Sequence, residues 1–226
     1  MRHAMNNHHR HIHITAIALG LGLFLSPWLG AQASSAESIG AQIAAKGIGS
    51  VPACATCHGM KGQGNPQANF PRLAGMGASY LAEQLTDYAA GTRNNPIMTP
   101  FAKQLTAAQI HDLAEYYAHL PTAKVPTLPT ATTAQEKMAQ DLLVHGDWSR
   151  TIPSCFTCHG PNGVGVKPSF PALVGQSATY TEEQLNAWQQ DHRPAGAGGL
   201  MAAVAKRLKP DEITAIASYL AKIPVQ

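Results

Sequence analysis

All four cysteines of the chain fall in two copies of one five-residue pattern, Cys54-Ala55-Thr56-Cys57-His58 and Cys155-Phe156-Thr157-Cys158-His159. A histidine directly after the second cysteine is the signature of c-type haem attachment. Two thioethers fix the porphyrin edge, and the imidazole becomes an axial ligand to iron. On a short helical turn the two-residue gap brings both sulfurs to the vinyl-derived carbons along one edge of the ring. The residue types thus assign cofactor attachment to Cys54, Cys57, Cys155 and Cys158, and iron ligation to His58 and His159. Two other chemistries use cysteine pairs. A redox dithiol would open a helix after a strand, and no strand pattern precedes either motif. A structural zinc site would have to unite pairs with 97 residues between them across a proline-bearing segment.

The iron needs a sixth ligand, and the repetition selects it. Past residue 33 the methionines are Met60, Met76, Met98, Met138 and Met201. Met60 is two residues from His58 and belongs to the same side of the ring, Met138 precedes its motif, and Met76 aligns with Gln176. Met98 and Met201 instead lie 40 and 42 residues after their histidines, each seven before a matched leucine, Leu105 or Leu208. They are the expected axial ligands. A neutral thioether favours reduced iron and raises the potential. His111, His119, His145 and His192 have no equivalents in the other half and are expected at the surface or at helix ends.

Matched loops extend the pattern. Phe70-Pro71-Arg72-Leu73 pairs with Phe170-Pro171-Ala172-Leu173, and the carbonyl of Pro71 or Pro171 is placed to accept the N–H of the ligating imidazole. Arg93 and Arg193 precede the methionines and are expected to pair with haem propionates. Their spacings to methionine differ, five against eight.

The elements that must position these groups are also duplicated. The motifs are offset by 101, Tyr80, Gln84 and Leu85 match Tyr180, Gln184 and Leu185 at 100, and Ile110, Tyr116 and Pro121 match Ile213, Tyr219 and Pro224 at 103. A repeat this long is a whole domain rather than a solenoid unit. The expected division is a leader over 1–33, a first domain over 34–121, a linker over 122–133 and a second domain over 134–226. Helical spacing predicts segments at 37–46, 79–90 and about 106–119, then 134–145, 179–190 and a last one that starts at about Pro210 and carries its stripe through Leu220. Thr106 with Gln109 forms a capping box, and Pro210 with Asp211 and Glu212 suits a helix start. The prolines of the linker predict a semi-extended tether that keeps the domains close without fixing them. The fold class is all-α.

Residues 1–33 carry Arg2, Arg10, an apolar run from Ile14 to Leu25 and Ala31-Gln32-Ala33, which reads as a secretory signal cleaved after Ala33. The 16 basic and 13 acidic side chains nearly balance, which excludes a polyanion-binding surface such as nucleic acid demands. Charged residues are 13% of the chain against about 25% in typical domains. Few carboxylates leave few groups whose protonation would unfold the protein, so an acidic exported compartment is expected.

With two Cys-x-x-Cys-His motifs, two Phe-Pro-x-Leu loops, Met98, Met201 and a proline-bearing linker, the chain resembles the di-haem cytochrome c4 family over nearly all of its mature length. That resemblance implies two class I cytochrome c domains related by a pseudo-twofold axis, with facing haem edges. It implies a periplasmic electron carrier, often membrane-associated, that serves terminal oxidases. The expected cofactors are two covalent haem c groups with His/Met ligation. The expected partners are a redox donor (a copper protein, a cytochrome or a quinol-oxidising complex) and an oxidase or reductase as acceptor. No small-molecule substrate is expected at iron, because both axial positions are filled. A di-haem peroxidase would need a displaceable ligand, and a permanently docked respiratory subunit is the remaining alternative.

Overall fold

The computed structural model describes residues 39–121, 124–194 and 199–224, so the leader assigned to residues 1–33 lies outside the described residues. In the first half, helix α1 (39–46) is followed by α2 (Ala55–His58), α3 (Ala78–Ala90), α4 (Met98–Ala102) and α5 (Ala107–His119). The second half repeats this as α6 (Ala134–Val144), α7 (Cys155–His159), α8 (Ala178–Gln189), α9 (Leu200–Ala205) and α10 (Pro210–Lys222). The β-structure among the described residues consists of isolated bridges alone, and the fold is all-α.

Local chemistry sets the helix ends. The Thr106 side chain accepts from Gln109 N–H while the Gln109 side chain accepts from Thr106 N–H, closing the expected capping box on α5. Thr133 and Glu136 make a second one on α6, which the sequence reading passed over. On α5 the buried face is Ile110, Leu113, Ala114 and Tyr117. Helix α1 crosses it at Gly40, where a β-carbon would fall 2.1 Å from the Asp112 carbonyl oxygen. Any side chain at that position would push the two helices apart.

Each half has its own core. In the second, Leu142, Leu143, Ile152, Val174, Ile213, Ile216, Tyr219 and Leu220 are all buried, where α10 packs on α6 and α8. The contiguous core of the first is smaller: Ile43, Ala44, Met76, Leu81, Leu113, Ala114 and Tyr117.

The shifting offset between halves now has locations. The bridge Asn65 to Phe70 spans one residue more than Val166 to Phe170, which takes the offset from 101 to 100. The next three residues enter between Arg193 and Met201, where 195–198 lie outside the described residues. Two extra residues after Gly146 build the 3₁₀ turn Trp148–Arg150, which has no counterpart after Gly47 among the described residues.

The expectation of a loose tether is corrected. Leu128 and Ala131 of the linker pack against the second core. The Pro129 carbonyl accepts from the Tyr219 hydroxyl at 2.7 Å, and the Pro126 carbonyl accepts from Asn162 Nδ2 at 2.7 Å. Proline carbonyls remain free to accept because proline removes only the donor. The halves also touch directly. A β-carbon at Gly77 would lie 1.9 Å from the Pro168 carbonyl oxygen, and Lys167 Nζ donates to the Ala118 carbonyl at 2.6 Å.

Candidate functional site

In the first half the motif turn, the Phe-Pro loop and the methionine turn enclose a cavity of about 330 Å³. Cys54, Cys57, His58, Pro71 and Met98 all line it. Helix α2 is a single turn, and Gly59 after it has φ +81°, which lets the chain leave the imidazole sharply. His58 is 5% exposed. Its Nδ1 donates to the Pro71 carbonyl at 2.8 Å, and the Phe70 ring meets it edge-on at 6.0 Å. Nε2 is buried with no hydrogen-bond partner. A desolvated nitrogen whose ring is clamped from the far side is poised as a metal ligand.

The second half reproduces this geometry. His159, also buried, donates from Nδ1 to the Pro171 carbonyl at 2.8 Å and meets Phe170 edge-on at 6.2 Å. Burial pushes both imidazoles below their ordinary pKa, while the prolyl carbonyls pull the other way. Burial, the larger effect, favours the neutral ring that iron ligation requires.

Met98 opens α4, and Met201 lies in the first turn of α9, so the two methionines occupy equivalent short helices. Met76 lines the first cavity too and is 2% exposed. His111, His119, His145 and His192 are all exposed.

The rival cysteine chemistries do not fit. Burial pushes the Cys155 thiol up to about 11 and the Cys54 thiol upward as well, whereas a reactive dithiol needs a lowered value. No group of three or more metal-ligating His, Cys, Asp or Glu side chains forms among the described residues, so the four cysteines are not gathered for zinc.

Arg93 and Arg193 are buried where the halves meet, and each reaches across. Arg93 Nη1 donates to Gln84 of its own half at 2.8 Å, and its Nη2 donates to Gln184 at 2.6 Å and to the Tyr180 hydroxyl at 3.2 Å. Arg193 answers with Gln184 at 3.3 Å, Gln84 at 2.7 Å and the Tyr80 hydroxyl at 3.2 Å. Their guanidinium planes lie over Tyr88 and Trp188, at 4.5 and 3.9 Å. The repeat had aligned Tyr80 with Tyr180 and Gln84 with Gln184. That alignment was the available signal for a cluster whose members lie about a hundred residues apart.

The cytochrome c family model matches residues 38–121 and 151–224. The thiosulfate dehydrogenase electron acceptor of Thiomonas intermedia is 47% identical over 76% of this chain and 79% of its own. Reduced cytochrome c4 from Pseudomonas stutzeri superposes with a TM-score of 0.68 at 32% identity, covering 84% of this chain and 98% of that one. The chain belongs to the di-haem cytochrome c4-like family. This cytochrome also superposes on a thiosulfate dehydrogenase from Marichromatium purpuratum, with a TM-score of 0.75 at 38% identity. The match covers 83% of the cytochrome but only 40% of that longer chain. In this family haem c is bound covalently through Cys-x-x-Cys-His, and the buried free nitrogen of His58 beside Cys54 and Cys57 fits that group.

Proposed function

We propose that the protein is an exported two-haem electron relay. In this reading Cys54, Cys57, Cys155 and Cys158 hold the two groups, with His58 and Met98 as axial ligands in one half and His159 and Met201 in the other. The observation that carries it is the duplication of one geometry in one chain: a buried imidazole tied through Nδ1 to a prolyl carbonyl at 2.8 Å, followed by a methionine on a short helical turn. Bound haem supplies a one-electron ferric/ferrous couple. The chain's own residues do the rest. Pro71 and Pro171 fix the imidazole rings, and Phe70 and Phe170 brace them. Arg93 and Arg193 place two buried positive charges where the halves meet, which would favour the carboxylates of bound haem. A ligand set filled on both sides by His and Met favours outer-sphere transfer over peroxidase chemistry, which requires an open or displaceable position.

The donor in this reading is a thiosulfate-oxidising dehydrogenase. The support is the similarity to the electron acceptor of Thiomonas intermedia, together with the match to part of the longer Marichromatium chain. Electrons would leave to a terminal oxidase or reductase in the periplasm, in keeping with the signal read at residues 1–33. Stopped-flow mixing of oxidised protein with a thiosulfate dehydrogenase and thiosulfate tests the donor. Reduction of both haems within the enzyme's turnover time is expected, with none from thiosulfate alone. An absence of reduction with the enzyme present would refute it. Mass spectrometry of the purified protein is expected to place its N-terminus at Ser34, and a chain still starting at Met1 would refute cleavage after Ala33.

A further inference from the structure

Arg72 has no equivalent in the second half, where Ala172 stands in its place. Its side chain is buried, 8% exposed, and it lines the same cavity as His58. Nη2 donates to the Pro121 carbonyl at 3.3 Å, but Nη1 is buried with no hydrogen-bond partner. The backbone around it is held from across the interface. Its N–H donates to Gln176 Oε1 at 3.0 Å, and its carbonyl accepts from Gln176 Nε2 at 2.9 Å. The backbone position is thus set independently of the guanidinium, which keeps one buried donor to spare in a residue that lines the cavity.

A guanidinium keeps its proton at any physiological pH, so burial cannot be relieved by neutralisation. Burial does act against the charge and lowers its pKa from the ordinary arginine value. No carboxylate pairs with Arg72 among the described residues. A buried cation is ordinarily paired, so this one requires an anion delivered to the cavity. Arg93 lines that cavity as well, but Arg193 mirrors it in the other half, so Arg93 does not distinguish the two sites.

We infer that Arg72 Nη1 binds a carboxylate on the edge of the haem in the first cavity, and that its unmatched charge raises that haem's potential. The inference rests on the two-haem reading above. A fixed positive charge favours the iron state carrying one more electron, and it acts strongly where water is excluded. A second haem would have alanine at the corresponding place, so this buried charge would act on one site and not on the other.

Spectroelectrochemical titration of the holoprotein and of Arg72→Gln and Arg72→Lys tests this. In Arg72→Gln one reduction wave is expected to fall and the other to stay, so that the sharing of one electron shifts about tenfold toward the second haem. Arg72→Lys, which keeps the charge, is expected to restore most of the separation. Unmoved waves, or two waves moving together in both variants, would overturn the assignment. If Arg72→Gln does not accumulate, Arg72→Lys decides through exchange of chloride for phosphate at constant ionic strength. An unmoved wave supports a carboxylate of the haem itself, and a wave that follows the anion assigns the site to solution ions and overturns the proposal. Counting haems by the pyridine haemochrome spectrum separates the two levels. Fewer than two haems per wild-type chain would sink the two-haem reading, whereas two haems with unmoved waves would sink only the role of Arg72.

Discussion

At the scale of single residues, the site depends on giving each polar atom one task. His58 Nδ1 is committed to the Pro71 carbonyl, and this leaves Nε2 as the one nitrogen free to ligate. Met98 and Met201 would complete the two iron sites, and replacing either with alanine should expose one iron only. Met98→Ala is expected to lower one of the two reduction waves. It should also remove about half of the long-wavelength sulfur-to-iron absorption of the oxidised protein. Met201→Ala should do the same to the other wave. Redox titration with visible spectroscopy checks both, and a variant that moves neither wave would exclude that methionine. These groups were legible because attachment chemistry dictates adjacency in sequence. Arg72 was not legible as a site, because what marks it is a missing partner, and a missing partner exists only in three dimensions. Arg93 and Arg193 were singled out, but their bonds to Gln84 and Gln184 and to the two tyrosines were not foreseen.

At the scale of elements, long periodic helices could be read almost to their ends, since apolar stripes and capping residues are local signals. The turns α4 and α9 could not, because five or six residues are too few to show a helical period. Removing the α5 cap with Thr106→Ala is expected to cost about 1 kcal/mol of stability. Denaturant titration would check it, with Thr133→Ala on α6 as a parallel case. Asp211 and Glu212 were expected to serve the positive end of α10. Glu212 does so, accepting the Lys209 N–H at 2.8 Å, and it is also buried, 4% exposed, where Arg150 Nη2 donates to it at 2.7 Å. Burial works against its charge, but Arg150 and the Lys209 N–H hold it below the usual carboxylate range. Ser149 and Arg150 likewise draw Asp147 down to about 2.

Carboxylates with lowered values stabilise the folded state above their ordinary pKa and lose that contribution as pH falls through the folded value. The second half should therefore melt at a constant temperature from pH 7 to about 5, then weaken progressively toward about pH 2. Circular dichroism against pH would show this, and Arg150→Ala, by returning these carboxylates toward their ordinary values, should lower the melting temperature at neutral pH and flatten its fall toward acid.

At the scale of the whole molecule, the interface is polar and reciprocal. Gln84→Ala with Gln184→Ala would remove the shared acceptors of both arginines and leave two buried guanidiniums short of partners. The doubly substituted protein is expected to show a larger radius of gyration by small-angle X-ray scattering. Unchanged scattering would mean that the contacts at Gly77 and Lys167 suffice. Duplication was plain in the sequence, but the docking of the halves was not. Repeated residues state that two domains exist, whereas a proline-rich segment reads the same whether it swings free or is pinned.

Arg93 meets Gln184 as Arg193 meets Gln84, and Arg93 meets Tyr180 as Arg193 meets Tyr80. That is the grammar of an isologous homodimer, written inside one chain. The linker then acts as an effective concentration, on the order of millimolar for a short tether, which replaces a bimolecular equilibrium with an intramolecular one. Lys124 and Val125 are exposed at the start of the described linker, ahead of the pinned Pro126. Tryptic cleavage after Lys124 should leave a nicked complex that holds together when concentrated. On dilution it should separate into two monohaem proteins, each still able to take an electron but no longer able to hand it to a fixed neighbour.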